Sequence, residues 1–219
     1  MTAHFVDLLD ELRRRSLRMA SLVEDMLDEA CEAVNHADDA LGRRVVARDN
    51  DVDSEEVEVE SEVIRLLALY QPVGVDLRLL CTVLKVNNDL ERIADCAVNI
   101  AERARHLERQ NVPQQCDLIA QMAPIVRRML RIAVQAYGTQ DAGGAAKVAT
   151  EEEVVDALYG QLVRSVVAET TRLAEKMASL LDVLSVAKNL ERIADHVTNI
   201  AEDVVFLCTG EIVRHRSKG

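Results

Sequence analysis

Tryptophan is absent from this 219-residue chain, and its aromatic complement is three tyrosines and two phenylalanines. Proline occurs three times and glycine eight times. A β-sandwich or barrel of this length would spend more aromatic and β-branched residues on strands, and more Gly and Pro on turns. Basic charge is also short, with 26 Lys and Arg against 38 Asp and Glu and a net charge of −12. A chain so acidic, without a basic and aromatic stripe, is no nucleic-acid binder, and an anionic bilayer would repel most of its surface. The basic segments Arg13–Arg15 with Arg18, and Arg214–Lys218, read as a solvated helix face and a tail.

No apolar run approaches the roughly 18 residues of a spanning helix, and MTAHFVDLLDELRRR lacks a signal-peptide pattern. The expectation is a soluble, cytoplasmic chain that meets a membrane only through partners. Five cysteines lie scattered at positions 31, 81, 96, 116 and 208, with no CxxC pair. They read as buried thiols of a reducing compartment, not as a disulfide frame or zinc site.

What is abundant is Ala, Leu, Val, Glu and Arg, the composition of long helices. The first periodic stretch runs from about His4 to Val34, carried by Leu8, Leu9, Leu12, Met19, Val23, Met26, Leu27 and Ala30. A break at Asn35–Asp39 leads into a second helix reaching Tyr70, which Gln71-Pro72-Val73-Gly74 ends. The third runs from about Val75 to Arg109. The second half repeats the plan, with helices over about Gln115–Tyr137, Ala145–Lys176 and Ser179–Cys208, and a turn at Gly138–Gly144. The expected fold is all-α: a tandem duplication of a three-helix bundle, six long antiparallel helices in all, with units 1–111 and 112–219.

Self-comparison supports the duplication. Residues 85–102 read KVNNDLERIADCAVNIAE and residues 185–202 read SVAKNLERIADHVTNIAE, identical at eleven of eighteen positions. A weaker echo at a shift of 103 sets Asp49–Asp53 against Glu152–Asp156. Shared hydrophobic residues follow from a shared core. Shared charges need another reason, because they drift cheaply on a solvated surface. At about 100° per residue, Glu91, Asp95, Asn99 and Glu102 form one stripe, opposite Leu90, Ile93, Ala94, Ala97 and Ile100. Glu191, Asp195, Asn199 and Glu202 repeat it, and both stripes are expected to face outward.

Asp49 with Asp53, and Glu152 with Asp156, are i,i+4 pairs on the preceding helices, although Val57 and Ile64 interrupt that polar side. If each bundle brings its pairs together, four carboxylates converge and repel unless they splay into water or hold a cation. Carboxylates beside an Asn amide are hard oxygen donors, suited to Mg²⁺, Mn²⁺, Ca²⁺ or iron. One such pair is a weak signal; four at equivalent places in two repeats are a stronger one. His196 stands where the first repeat has Cys96, and reads as a partly exposed helix histidine, a ligand only if a neighbouring helix leans over it. Arg92 and Arg192 flank the stripes, placed for pairing with the acids or with an anion.

These motifs resemble the PhoU family of phosphate-specific transport regulatory proteins, over essentially the whole chain. The family's L-E-R-I-[GA]-D-H-x-x-N-I-[AC]-E segment matches Leu90–Glu102 and Leu190–Glu202, and Leu69-Tyr70-Gln71-Pro72 followed by Asp76-Leu77-Arg78 matches its first repeat. The resemblance implies a cytoplasmic regulator and no catalyst. It implies action between a phosphate-specific ABC transporter, through its ATPase subunit, and a phosphate-sensing histidine kinase, holding phosphate-starvation genes off, often as a homodimer. It also implies metal ions (iron, zinc, manganese or magnesium) on E(D)-x-x-x-D motifs, here Asp49, Asp53, Glu91, Asp95, Glu152, Asp156, Glu191 and Asp195. The sequence departs at Ala94 and Ala194, where Gly is usual, and at Cys96, where His is usual.

Two other classes compete. A ferritin-like metal-dependent oxidase is also an acidic helical bundle, but it wants inward Glu-x-x-His pairs, and neither repeated segment has one. A helical adaptor without metal would keep the fold and use the acids to dock a basic partner.

Overall fold

The computed structural model describes residues 3–107, 116–170 and 177–213. Six long helices and one helical turn account for nearly all of them: α1 (Ala3–His36), α2 (Asp39–Tyr70), α3 (Val75–Leu107), α4 (Cys116–Thr139), α5 (Ala142–Ala145), α6 (Val148–Thr170) and α7 (Met177–Thr209). None is long and apolar enough to cross a membrane. The expected break between the last two helices, at Met177 and Ala178, is instead the first turn of α7, while the boundary between units at 111 and 112 falls at residues outside the described ones. So does the basic tail Arg214–Lys218.

Helix ends follow local chemistry. Asp38 caps α2, its carboxylate accepting from the Leu41 N–H at 3.0 Å, while Ala37 takes the left-handed conformation at φ 51°. Gln71 ends α2 in the same conformation, its N–H returning to the Leu67 carbonyl, and Pro72 with Gly74 (φ 60°) turns the chain into α3. The second half repeats the α1–α2 device: Gln140 at φ 54° precedes Asp141, which accepts from the Gly143 N–H at 3.0 Å. This cap shortens the expected Gly138–Gly144 turn. The segment Ala142-Gly143-Gly144-Ala145 becomes a helical turn despite its glycines, and the long helix after it starts at Val148, not Ala145.

α3 and α7, which carry the repeated segments, form the central pair, and the other long helices pack around them. Ile93, Ala94, Ala97 and Ile100 of α3, and Ile193, Ala194, Val197 and Ile200 of α7, are fully or almost fully buried. One hydrophobic core runs through both halves, from Phe5 to Leu207. The cysteines divide. Cys31 and Cys96 are buried, Cys81 is half-buried, and Cys208 is exposed on the last turn of α7, correcting the expectation of uniformly buried thiols. The Cys116 side chain lies outside the described ones.

Polar contacts tie the halves together where the repeats differ. Lys85 reaches Asp203 at 2.9 Å, His196 donates to Asp89 at 2.8 Å, and Arg103 lies 3.6 Å from Asp182. Lower-numbered residues of α3 meet higher-numbered residues of α7, so the two helices run antiparallel. Tyr137, buried in α4, donates to Ser16 of α1 at 3.1 Å, and Arg127 of α4 pairs with Asp28 of α1.

Within the first half, α2 packs closely against the α3 backbone at Gly42. A Cβ there would lie 2.8 Å from the Ala101 carbonyl oxygen, and backbone cannot step aside as a side-chain tip can. Gly42→Ala is expected to destabilise the protein by about 1–3 kcal/mol, the usual cost of overpacking. Urea unfolding checks this; an unchanged midpoint would show that the two helices separate freely at this point.

Candidate functional site

The carboxylates singled out from sequence occupy two seams, one between α2 and α3 and one between α6 and α7. In the first seam Glu91 and Asp95 lie one turn apart on α3, and Asp49 and Asp53 one turn apart on α2. Burial is the main reason the Asp49 carboxyl is raised above its ordinary pKa, and the charges of Asp53 and Asp95 add to it. The Glu91 carboxyl is raised for the same reasons, burial first and then Asp95, with Arg92 opposing. Only 14% of the Glu91 side chain is exposed, so this part of the stripe is tucked into the seam instead of standing outward. Glu102, at the far end of the stripe, is exposed as expected.

Arg92 bridges the pair on its own helix, with Nε 3.1 Å from Glu91 and Nη1 3.4 Å from Asp95. This settles its role in the first repeat as an ion-pair partner of the acids. The Glu91 oxygen beside it is nevertheless shielded from water and accepts no hydrogen bond. Glu56, absent from the expected set, joins this seam. Its carboxyl is raised by burial first, then by Glu60, Asp53 and Asp95. It stands seven residues after Asp49, two turns along one face, which is the signal that identifies it.

In the second seam one oxygen each from Asp156, Glu191 and Asp195 lies within 4.8 Å of the others. Among the described residues no other group of three acids, thiols or imidazoles converges so tightly. Burial raises the Asp195 carboxyl, helped by Glu191 and Asp156 and opposed by Lys188 and His196. Glu152, one turn before Asp156, is half-buried and is not one of the three. Lys188 is the other residue that sequence reasoning passed over: its ammonium lies 2.6 Å from Glu191.

The remaining candidates point elsewhere. A neighbouring helix does lean over His196, but what it offers is Asp89, a buried carboxylate of α3, so the ring serves the contact between halves. Asn99 donates to the Asp95 backbone carbonyl at 2.8 Å, and Asn199 lies 3.4 Å from Asp89. Neither amide nitrogen faces a cluster carboxylate. Burial pushes the Cys96 thiol up to about 11, so it stays protonated at neutral pH and is a poor ligand.

The donor set of both seams is thus carboxylate oxygen, crowded, partly desolvated and short of cations. That chemistry suits hard divalent or trivalent ions. The raised carboxyls also mean that folding takes up protons just above the ordinary carboxylate range, so their charge repulsion costs stability at neutral pH and is relieved below about pH 4. In chelator-treated protein, Asp195→Asn is expected to raise stability at pH 7 by about 0.3–0.5 kcal/mol, the scale of one like-charged i,i+4 pair. Denaturation at pH 7 and at pH 3.5 tests this, because the gain is expected to vanish at the lower pH.

Comparison with known proteins places the chain in a family. The PhoU domain family model matches residues 16–104 and 119–204. A phosphate-specific transport system accessory protein PhoU homolog of Zymomonas mobilis is 34% identical over 220 residues, covering 99% of this chain and 93% of its own. The homolog of Aquifex aeolicus is 37% identical over 208 residues, covering 95% and 94%. The crystal structure of PhoU from Pseudomonas aeruginosa superposes with a TM-score of 0.92 at 33% identity, covering 94% of this chain and all of that one. That of the phosphate transport system regulatory protein PhoU from Streptococcus pneumoniae gives 0.86 at 27% identity. With both repeats matched and the whole helical scaffold shared, the chain belongs to the PhoU family of phosphate-specific transport accessory proteins.

Proposed function

We propose that this protein is a non-catalytic, cytoplasmic regulator of phosphate uptake, which holds the phosphate-starvation response off when phosphate is plentiful. In this reading it links the ATPase subunit of a phosphate-specific ABC transporter to a phosphate-sensing histidine kinase, and works as a homodimer. Its membership of a family of transport accessory proteins supports the regulatory part. The observation that supports a metal-binding role within that regulation is the pair of carboxylate seams, placed alike on a duplicated scaffold.

Metal is part of the proposal. Asp49, Asp53, Glu91 and Asp95 would hold it in the first half, with Glu56 adjoining. Glu152, Asp156, Glu191 and Asp195 would hold it in the second. The fit rests on the all-oxygen donor set, on the shielded Glu91 oxygen that accepts no hydrogen bond, and on three oxygens within 4.8 Å in the second seam. A bound ion would neutralise the cluster and tie its two helices together. The chain's own residues then act as a frame: α3 and α7 hold each other through the core, and each presents its carboxylates to the helix in front.

An adaptor that uses no metal is the second reading, and Arg92 and Lys188 favour it, because each already brings a positive charge to a cluster. The oxidase reading finds little support, since His196 is engaged by Asp89.

A phosphate-starvation reporter in a deletion strain, grown in ample phosphate, distinguishes them. Deletion is expected to derepress the reporter severalfold, wild type to restore repression, and Asp95→Asn with Asp195→Asn to fail. Restoration by the double variant would leave the adaptor. No derepression on deletion, in a strain without a second copy of the gene, would overturn the regulatory role.

A further inference from the structure

The two carboxylate seams differ at two positions, and the differences belong together. Where the second repeat has Lys188, the first has Asn88, which is exposed and uncharged. Where α6 has Tyr159, α2 has Glu56 at the same shift of 103, one of the raised acids of the first seam. In the second half these two residues meet: the Lys188 ammonium lies 5.3 Å from the centre of the Tyr159 ring and 2.6 Å from Glu191. The first seam therefore exchanges one acid and a neutral amide for an aromatic platform and a cation in the second.

This ammonium is a positive group seated on the cluster. It is the ion-pair partner of Glu191, on the face of α7 that also carries Asp195. It lies on the seam whose oxygens come closest together among the described residues. A built-in cation lowers the repulsion among Asp156, Glu191 and Asp195, whose oxygens converge. The first seam holds five carboxylates, Asp49, Asp53, Glu56, Glu91 and Asp95, with Arg92 alongside, and among the described residues no three of its oxygens come so close.

We propose that Lys188 is the internal counter-ion of the second cluster, displaced from Glu191 when a divalent cation enters, so that it weakens the hold of that cluster on the ion. The proposal rests on the reading that the clusters hold metal. Tyr159 gives the proposal its direction: the ring face is a second attractive surface for the ammonium, holding it near the cluster whether or not Glu191 is engaged.

The test uses full-length protein carrying Asp49→Asn, Asp53→Asn, Glu56→Gln, Glu91→Gln and Asp95→Asn, in which only the second cluster remains, titrated with Mn²⁺ alone and read from the electron paramagnetic resonance signal of the free ion. Circular dichroism confirms folding. Lys188→Asn, which installs the first repeat's residue, is expected to tighten Mn²⁺ binding about tenfold, the effect of removing one like charge a few ångströms from a dication in a partly screened site. Lys188→Arg keeps the charge and is expected to keep the parent affinity. Binding by the parent that Lys188→Asn leaves unchanged or weakens would overturn the counter-ion role and leave the metal reading intact. Equal tightening by Lys188→Arg would also overturn it, because side-chain shape and not charge would then be at work. Absence of Mn²⁺ binding in the parent and in Lys188→Asn alike would overturn the metal reading for this cluster, and this inference with it.

Discussion

The antiparallel packing of α3 on α7 is the contact on which the rest of the molecule depends. These helices carry the repeated segments, and their buried faces, Ile93 to Ile100 and Ile193 to Ile200, lie in one continuous core. A duplicated three-helix unit has an apolar stripe on its last helix that its own partners do not fully cover. Docking two such stripes removes both from water in one step, at roughly 25 cal/mol for each Å² of apolar surface buried. The charged stripes lie off this contact, each at the seam with its own neighbouring helix.

Docking two copies in this way also explains where they diverged. In an antiparallel pair a residue faces the non-equivalent residue of the other copy. Lys85 faces Asp203, whose own counterpart is Arg103; Asp89 faces His196, whose counterpart is Cys96. Had the repeats stayed identical here, two of these partners would be lost. The Asp203 carboxylate is almost completely buried, and a buried charge is tolerated only when paired and hydrogen-bonded. The differences between the repeats at 85, 89, 96 and 103 are thus the chemistry of their contact.

The carboxylates answer to a different constraint. Their positions are shared by the copies although their charges repel, and burial strengthens the repulsion by withdrawing water. The two seams relieve it differently. The first has Arg92 beside Glu91 and Asp95, while the second has Lys188, held over Tyr159. Equal placement with unequal counter-charge makes the two halves similar in shape and distinct in electrostatics.

Sequence alone determined the helical class, the duplication and the identity of the acidic stripes, because these depend on composition, on a 3.6-residue period and on a repeat long enough to exceed chance. Helix ends set by Asp38 and by Pro72 with Gly74 were legible for the same local reason. The Gly138–Gly144 turn was not, because an Asp141 cap outweighs two glycines only when the flanking helices are held in place. Which residues face one another across helices was decided by tertiary structure. Glu91 is tucked into a seam because α2 lies over it; His196 turns to Asp89 because α3 lies beside it; Lys188 meets the Tyr159 ring because α6 brings it there. A single helix fixes the angle at which a side chain leaves its axis. Its environment depends on the register and distance of the next helix, which only the packed core sets.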